Sequence, residues 1–391
     1  MEVKQVKVTA AAAEAAISSW SELPADLIGQ VLLRLPSLAD RVRLRAACRP
    51  WRTDAKRQAL PPPLPWFALR DGGLVDHHGA PVRRCAPILR EGVTDYLAVD
   101  NLAFLAHNRA ACCSLVNPLS ASEETPLPQL ANAVLRAMND SKFYTVGNTK
   151  MPYVKDVAGF GSVSDWTRKE IHRIPGEDYR MRLADIAFLN GRLYALTVKE
   201  GLYVFEPNSG DLDDPMNAPS GFRHCIIDNP EQQEVYTKTD LRYVVARYLA
   251  ECDGRLFMVR QWMRIPLNVR LGDMDETFSF EIFEADLTTT PCQWRKVDRL
   301  GGHAIFLGSE CTKVVHASKC VGRVQEDCIY FMHRTFDNPS QEYFGPCVDP
   351  LGDSGVYNMT NRRITPFLPE AVMEKLCLKR QFLTWFFPAD V

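Results

Sequence analysis

The sequence has no uninterrupted apolar run of the roughly 18 residues that a helix needs to cross a bilayer. Its best stretch, Tyr96 to Val116, is broken by Asp100, Asn101, His107, Asn108 and Arg109. It also lacks charge of one sign: 46 Lys and Arg against 48 Asp and Glu leave −2 over 391 residues. That argues against a chain built mainly to grip nucleic acid or an anionic membrane. No G-x-S-x-G elbow, Walker A loop or G-x-G-x-x-G fingerprint is present, so the common nucleophile and phosphate-binding signatures are missing. The Ala-rich opening, Ala10 to Ala16, contains Glu14 and no strongly apolar segment, which reads as a disordered leader over residues 1–19 and not as a secretory signal. Twelve cysteines without such a signal are expected to be thiols of a reducing compartment, nucleus or cytoplasm or both.

What is present divides into zones. Residues 20–60 hold eight basic side chains (Arg34, Arg41, Arg43, Arg45, Arg49, Arg52, Lys56, Arg57) against four acids (Glu22, Asp26, Asp40, Asp54), a small basic head before a mildly acidic body. Pro61, Pro62, Pro63 and Pro65 around Leu64 stop any helix and make residues 61–65 a stiff linker. From Trp66 to residue 391, short apolar runs recur between Gly, Asn, Asp and Pro, as in Arg192 to Val198, Leu202 to Phe205, Arg255 to Val259 and Cys328 to Met332. These are strand signals. Gln129 to Met138 and Pro369 to Cys377 are the only helical candidates there.

A weak repeat runs through the body. Phe188-Leu-Asn-Gly191-Arg-Leu-Tyr194 resembles Glu251-Cys-Asp-Gly254-Arg-Leu-Phe257, and Gln325 to Tyr330 is a looser copy. Each is followed by a second strand and a polar turn, which suits the blades of a β-propeller. The intervals, 63 and then about 73 residues, exceed the roughly 40–50 of ordinary blades. Either insertions lengthen the blades or an intervening copy has drifted. The expected fold class is therefore α+β multidomain: a three-helix head and a mainly β, propeller-like body, with a β-sandwich as the other architecture.

In the head, Leu23, Leu27, Ile28, Val31, Leu32 and Leu35 fall on one helical stripe. Pro24 suits a first helical position, and Pro36 ends the helix. Ser37 to Asp40 reads as a capping box opening a second helix. Pro50 opens a third, with Trp51 as a core anchor. Three short helices in about forty residues bury little surface alone, so apolar residues should remain for a partner.

The ordered series Leu23-Pro24-x-Asp26-Leu27-Ile28, Val31-Leu32-x-Arg34-Leu35-Pro36 and Arg41 to Cys48-Arg49-x-Trp51-Arg52 resembles the F-box motif along its length; Pro50 departs from it, since serine is common there. The resemblance implies docking on a Skp-family adaptor, and through it on a cullin scaffold, by Leu23, Pro24, Leu27, Ile28, Leu32, Leu35, Pro36 and Trp51. The body resembles the plant-specific, propeller-like domain of plant F-box proteins, through Ser114 to Leu119, Gly191 to Leu196, Trp294 to Val297 and Leu300 to Gly308. Together these imply a substrate-recognition subunit of an SCF-type E3 ubiquitin ligase that holds a target protein on its β domain. Such an adaptor raises local target concentration and has no active site of its own. The alternative is an F-box interaction protein that sequesters its partner without proteolysis; a propeller hydrolase or sugar-binding module would need convergent carboxylates or histidines that the sequence does not nominate.

No cofactor and no metal is expected. Cys311, His316, Cys320, Cys328 and His333 lack the spacing of zinc sites, and Cys328 lies in an apolar strand. Cys112 and Cys113 face opposite sides of a strand. Asp211, Asp213 and Asp214 lack the glycine and closing glutamate of a calcium loop, and His77-His78 suits a hairpin tip.

Overall fold

The computed structural model describes, with short breaks, residues 20–126, 183–205, 222–266, 276–332, 353–368 and 382–388, together with four residues between 145 and 150. The leader, Pro36, Pro61, the two helical candidates of the body, the His77-His78 pair and the Asp211–Asp214 segment lie outside the described residues, as do Cys112, Cys311 and His333. The chain forms two units: Met1–Leu64 with Ser318–Val324 and Pro388–Val391, and Pro65–Ala317 with Gln325–Phe387.

The first unit carries α1 (Ala25–Leu33), α2 (Leu38–Ala47) and α3 (Arg49–Lys56). Pro24 is the N-cap of α1, with an extended backbone, and not its first helical residue. Asp26 sits in the first turn of α1, beside the positive helix end. The expected capping box does not form. Ser37 is the N-cap of α2 but makes no side-chain capping bond, and the Asp40 carboxylate instead accepts from Arg43 Nη1 at 2.6 Å. Aspartate is one methylene shorter than the glutamate that ordinarily reaches back in this motif, and a cation one turn ahead claims it. Pro50 falls in the first turn of α3, where a missing N–H costs nothing.

The second unit is a five-bladed β-propeller; the repeats indicate a propeller and leave the number of blades open. Strands β1 (Trp66–Leu69) and β2 (Leu74–Val75) form a hairpin. The next blade has β3 (Val93–Val99), β4 (Leu102–His107), β5 (Cys113–Val116) and β6 (Thr125–Pro126) in sequential order. A small ribbon, β7 (Thr145–Val146) with β8 (Thr149–Lys150), follows. The third blade is β9 (Leu183–Leu189), β10 (Arg192–Thr197), β11 (Leu202–Phe205) and β12 (Phe222–Ile226). The fourth is β13 (Val235–Lys238), β14 (Leu241–Cys252), β15 (Arg255–Pro266), β16 (Glu276–Asp286) and β17 (Gln293–Val297). The fifth holds β18 (His303–Leu307), β19 (Thr312–His316), β20 (Cys328–Phe331), β21 (Gly355–Asn358) and β22 (Arg363–Thr365), with β18 parallel to β20. Last, β23 (Phe382–Phe386) pairs with β1, so the first blade joins both ends of the unit.

The repeated motifs lie in three consecutive blades. No copy is missing between them: the stretch between β11 and β12 lengthens the first interval, and the long β15 and β16 with β17, β18 and β19 fill the second. In the first two copies the turn residues Asn190 and Gly191, then Asp253 and Gly254, all have positive φ (51°, 74°, 49° and 75°). That is the two-residue hairpin geometry for which Asn-Gly and Asp-Gly are suited. The third copy has Asp327 at φ 56° but Cys328 in place of glycine, and it leads into β20 without a hairpin.

The fourth blade is buried on both faces. Val244, Ala246, Tyr248, Phe257, Val259 and Met263 pack with Ile305, Leu307, Ile329 and Phe331 of the fifth blade. Leu249, Leu256 and Met258, of opposite parity on the same strands, pack with Leu196, Leu202 and Val204 of the third. A strand's alternating side chains reach two cores, which is why these strands read as almost continuous apolar runs.

Candidate functional site

The head has a very small core. Ile28 and Leu32 of α1 and Ala55 of α3 are buried, with Leu23, Leu35, Leu44, Trp51 and Leu60 packed against them. Polar clasps finish it: the Trp51 indole N–H donates to Trp20 O at 2.9 Å, Arg41 Nε to Leu35 O at 2.9 Å, and Gln58 Nε2 to Ala25 O at 3.0 Å. Gly29 makes the last one fit, because a Cβ there would stand 2.5 Å from Gln58 Oε1.

The side chains named from the sequence as a docking face therefore separate. Ile28 and Leu32 are wholly buried within the head, while Leu23, Leu35 and Trp51 are half-buried around them. Leu27 and Pro24 are exposed. Leu27 is 46% exposed and Val31, one turn further along α1, is 42% exposed. Trp20, Leu33 and Val42 are exposed apolar residues as well. Apart from Leu27 these were not assigned to the docking face from the sequence, although Val31 was placed on the α1 stripe; the signal was the i, i+4 relation of 27 to 31, inside a stripe too wide for one small core to absorb. These large apolar side chains lie outside the cluster of Ile28, Leu32 and Ala55.

Among the described residues of the propeller, three of the polar clusters contain side chains that could carry chemistry. In the first, Glu200, itself 4% exposed, accepts from Arg247 Nε at 2.8 Å and Arg260 Nε at 2.7 Å. Arg260 also reaches Glu281 at 3.2 Å. The Trp294 indole N–H donates to Glu200 O at 2.8 Å, so this half-buried tryptophan ties the third blade to the fourth. Opposed charges satisfy one another throughout.

The second cluster brings together His107, Ser114 and Glu124. His107 Nε2 lies 2.9 Å from Ser114 Oγ and 2.8 Å from Glu124 Oε1, and Arg90 pairs with the same carboxylate. Burial, and then the Arg90 charge, hold the His107 imidazole below its ordinary pKa. Serine and carboxylate meet the same ring nitrogen, whereas a nucleophile relay needs them on opposite nitrogens.

The third is the one group of metal-ligating side chains among the described residues: Cys252, Asp253 and His303, with donor atoms all within 4.8 Å of one another. Nothing local in the sequence marks it, because His303 lies fifty-one residues beyond Cys252 and Asp253 belongs to a turn motif. Of the cysteine–histidine set weighed from the sequence, His316, Cys320 and Cys328 are described and do not form such a group; Cys328 is buried in β20, and burial pushes its thiol up to about 11.

Comparison with known proteins adds to this geometry. The family described as the KIB1-4 beta-propeller matches residues 92–358, from the first strand of the second blade to the end of β21. The F-box protein At2g17690 of Arabidopsis thaliana is similar at 38% identity over 55 residues, 13% of this chain and 13% of that protein, so the alignment spans a small part of either. No solved structure matches the chain.

Proposed function

Because the chain belongs to the KIB1-4 beta-propeller family, we propose that it is a substrate-recognition adaptor, its helical head docking on a ligase core and its propeller holding a target protein. The observation that carries the reading is the exposed pair Leu27 and Val31 on α1 of a head whose own core is Ile28, Leu32 and Ala55. An apolar strip on so small a bundle is stabilised by burial against a partner, at about 25 cal/mol for each Å² covered. The F-box resemblance of residues 20–60 and the likeness to an Arabidopsis F-box protein support a Skp-family adaptor as that partner, with a cullin scaffold beyond it. The propeller offers variable loops on a rigid frame, which suits capture of a target protein, and the chain acts here by proximity without an active site of its own.

The experiment is co-purification of the full-length chain with a Skp adaptor. The wild type is expected to form a complex, and the double variant Leu27→Asp/Val31→Asp to lose it while keeping its far-ultraviolet circular dichroism. A wild-type chain that binds no Skp adaptor removes the proposal. In a cell that makes the complex, a captured protein that accumulates under proteasome inhibition supports the degradative role, and one whose level does not change supports sequestration.

A further inference from the structure

His303 opens β18 and is almost wholly buried, its side chain 8% exposed. Its Nδ1 stands 3.0 Å from Leu300 O and 3.1 Å from Gly301 O. Both neighbours are carbonyls and can only accept, so Nδ1 carries the proton. In the neutral ring Nε2 then presents a lone pair, and it faces Asp253 Oδ2 at 3.0 Å. Two acceptors at that distance repel unless a cation lies between them. The Cys252 sulfur completes the group within 4.8 Å. A backbone carbonyl on one imidazole nitrogen is the arrangement that fixes the tautomer of a metal-ligating histidine.

We propose that Cys252, Asp253 and His303 bind one zinc-class divalent ion, which fastens the β14–β15 turn of the fourth blade to the first strand of the fifth. The donor set, one sulfur, one imidazole nitrogen and one carboxylate oxygen, is of the kind zinc takes. A tetrahedral ion with bonds near 2.0–2.1 Å holds its nitrogen and oxygen donors about 3.3 Å apart, close to the Asp253–His303 separation. Thiolate and carboxylate together neutralise the ion, and binding releases the thiol proton of Cys252 to solvent. Asp253 is 72% exposed while Cys252 and His303 are buried, so the site is floored by protein and open on one side. The His316 ring lies 4.8 Å from that of His303 between centroids, and water supplies the remaining position. Asp253 takes positive φ in its turn.

A proton in place of the metal would give an imidazolium–carboxylate pair with no use for the sulfur, and titration separates the two. Full-length protein stripped with a chelator is titrated with Zn²⁺ by calorimetry and with Co²⁺ by absorption. The expected result is one ion per chain, a thiolate-to-cobalt charge-transfer band, and a rise in melting temperature on adding zinc. Cys252→Ser should abolish the band. Asp253→Asn, which keeps a residue tolerant of positive φ and so keeps the turn, should weaken affinity by tenfold or more. Absence of stoichiometric uptake by the wild type, or a cobalt band and affinity unchanged in both variants, overturns the proposal.

Discussion

Asp353 is buried, 4% exposed, and its carboxyl accepts from the Thr277 backbone N–H and hydroxyl, each at 2.7 Å. Those bonds favour the ionised form, but burial outweighs them and, with Glu276 nearby, pushes the carboxyl up to about 6. Because the folded state holds this proton more tightly than the unfolded chain, the associated stability is present below the ordinary aspartate range and lost as pH rises through about 6. At about 1.4 kcal/mol per unit, the loss between about pH 4 and pH 7 is about 3 kcal/mol. Asp353→Asn should flatten that part of the profile, so its stability relative to wild type rises with pH. Denaturant midpoints of both proteins across that range test this; a constant difference would show that Asp353 titrates normally. Nothing in the sequence marks Asp353 among 48 acids, since its burial is created by β16 folding across it from far along the chain.

At the scale of the element, α1 shows how one amphipathic stripe serves two ends. Ile28 and Leu32 fill the head's core, and Leu27 and Val31, each one residue earlier, point outward. Substitution should divide them accordingly. Ile28→Asp places a charge in a dry site, a change of several kcal/mol, and should unfold the head. Leu27→Asp at an exposed position should change stability by about 0.5 kcal/mol or less and act on partner binding alone. Helical circular dichroism with a Skp-binding assay separates the two; equal loss of helicity would contradict the assignment of faces. The stripe was legible as a stripe, but its division was not, because hydrophobic spacing cannot tell a side chain that fills its own core from one left for a neighbour.

The whole propeller depends on how its ring closes. β23 pairs with β1, and the Trp385 indole N–H donates to Leu307 O of the fifth blade at 2.9 Å. Phe67 and Phe306 pack on the same indole with ring centroids 5.3 and 5.0 Å away. Gly308 passes so close that a Cβ would stand 2.5 Å from Thr384 Oγ1. Trp385→Phe removes one of two donors to Leu307 O, which the Met332 N–H still reaches at 3.1 Å; the lost hydrogen bond is worth about 1 kcal/mol, and its loss should lower the denaturant midpoint of the propeller. Trp20→Phe, at an exposed position, is the control; equal midpoints for the two variants would show that the clasp contributes nothing.

The sequence by itself determined the local pieces. The Asn190-Gly191 and Asp253-Gly254 turns, the apolar strands around them and the proline-bounded helices of the head are set by backbone sterics and short-range hydrophobic period, which act within a few residues. Their repetition was enough to indicate a propeller. Only the tertiary structure decided the count of five blades, the closure of β23 on β1, the outward turn of Leu27 and Val31, and the meeting of Cys252 and Asp253 with His303. Each of these depends on contacts between residues far apart in the chain, where no local preference carries the information and packing alone selects the partner.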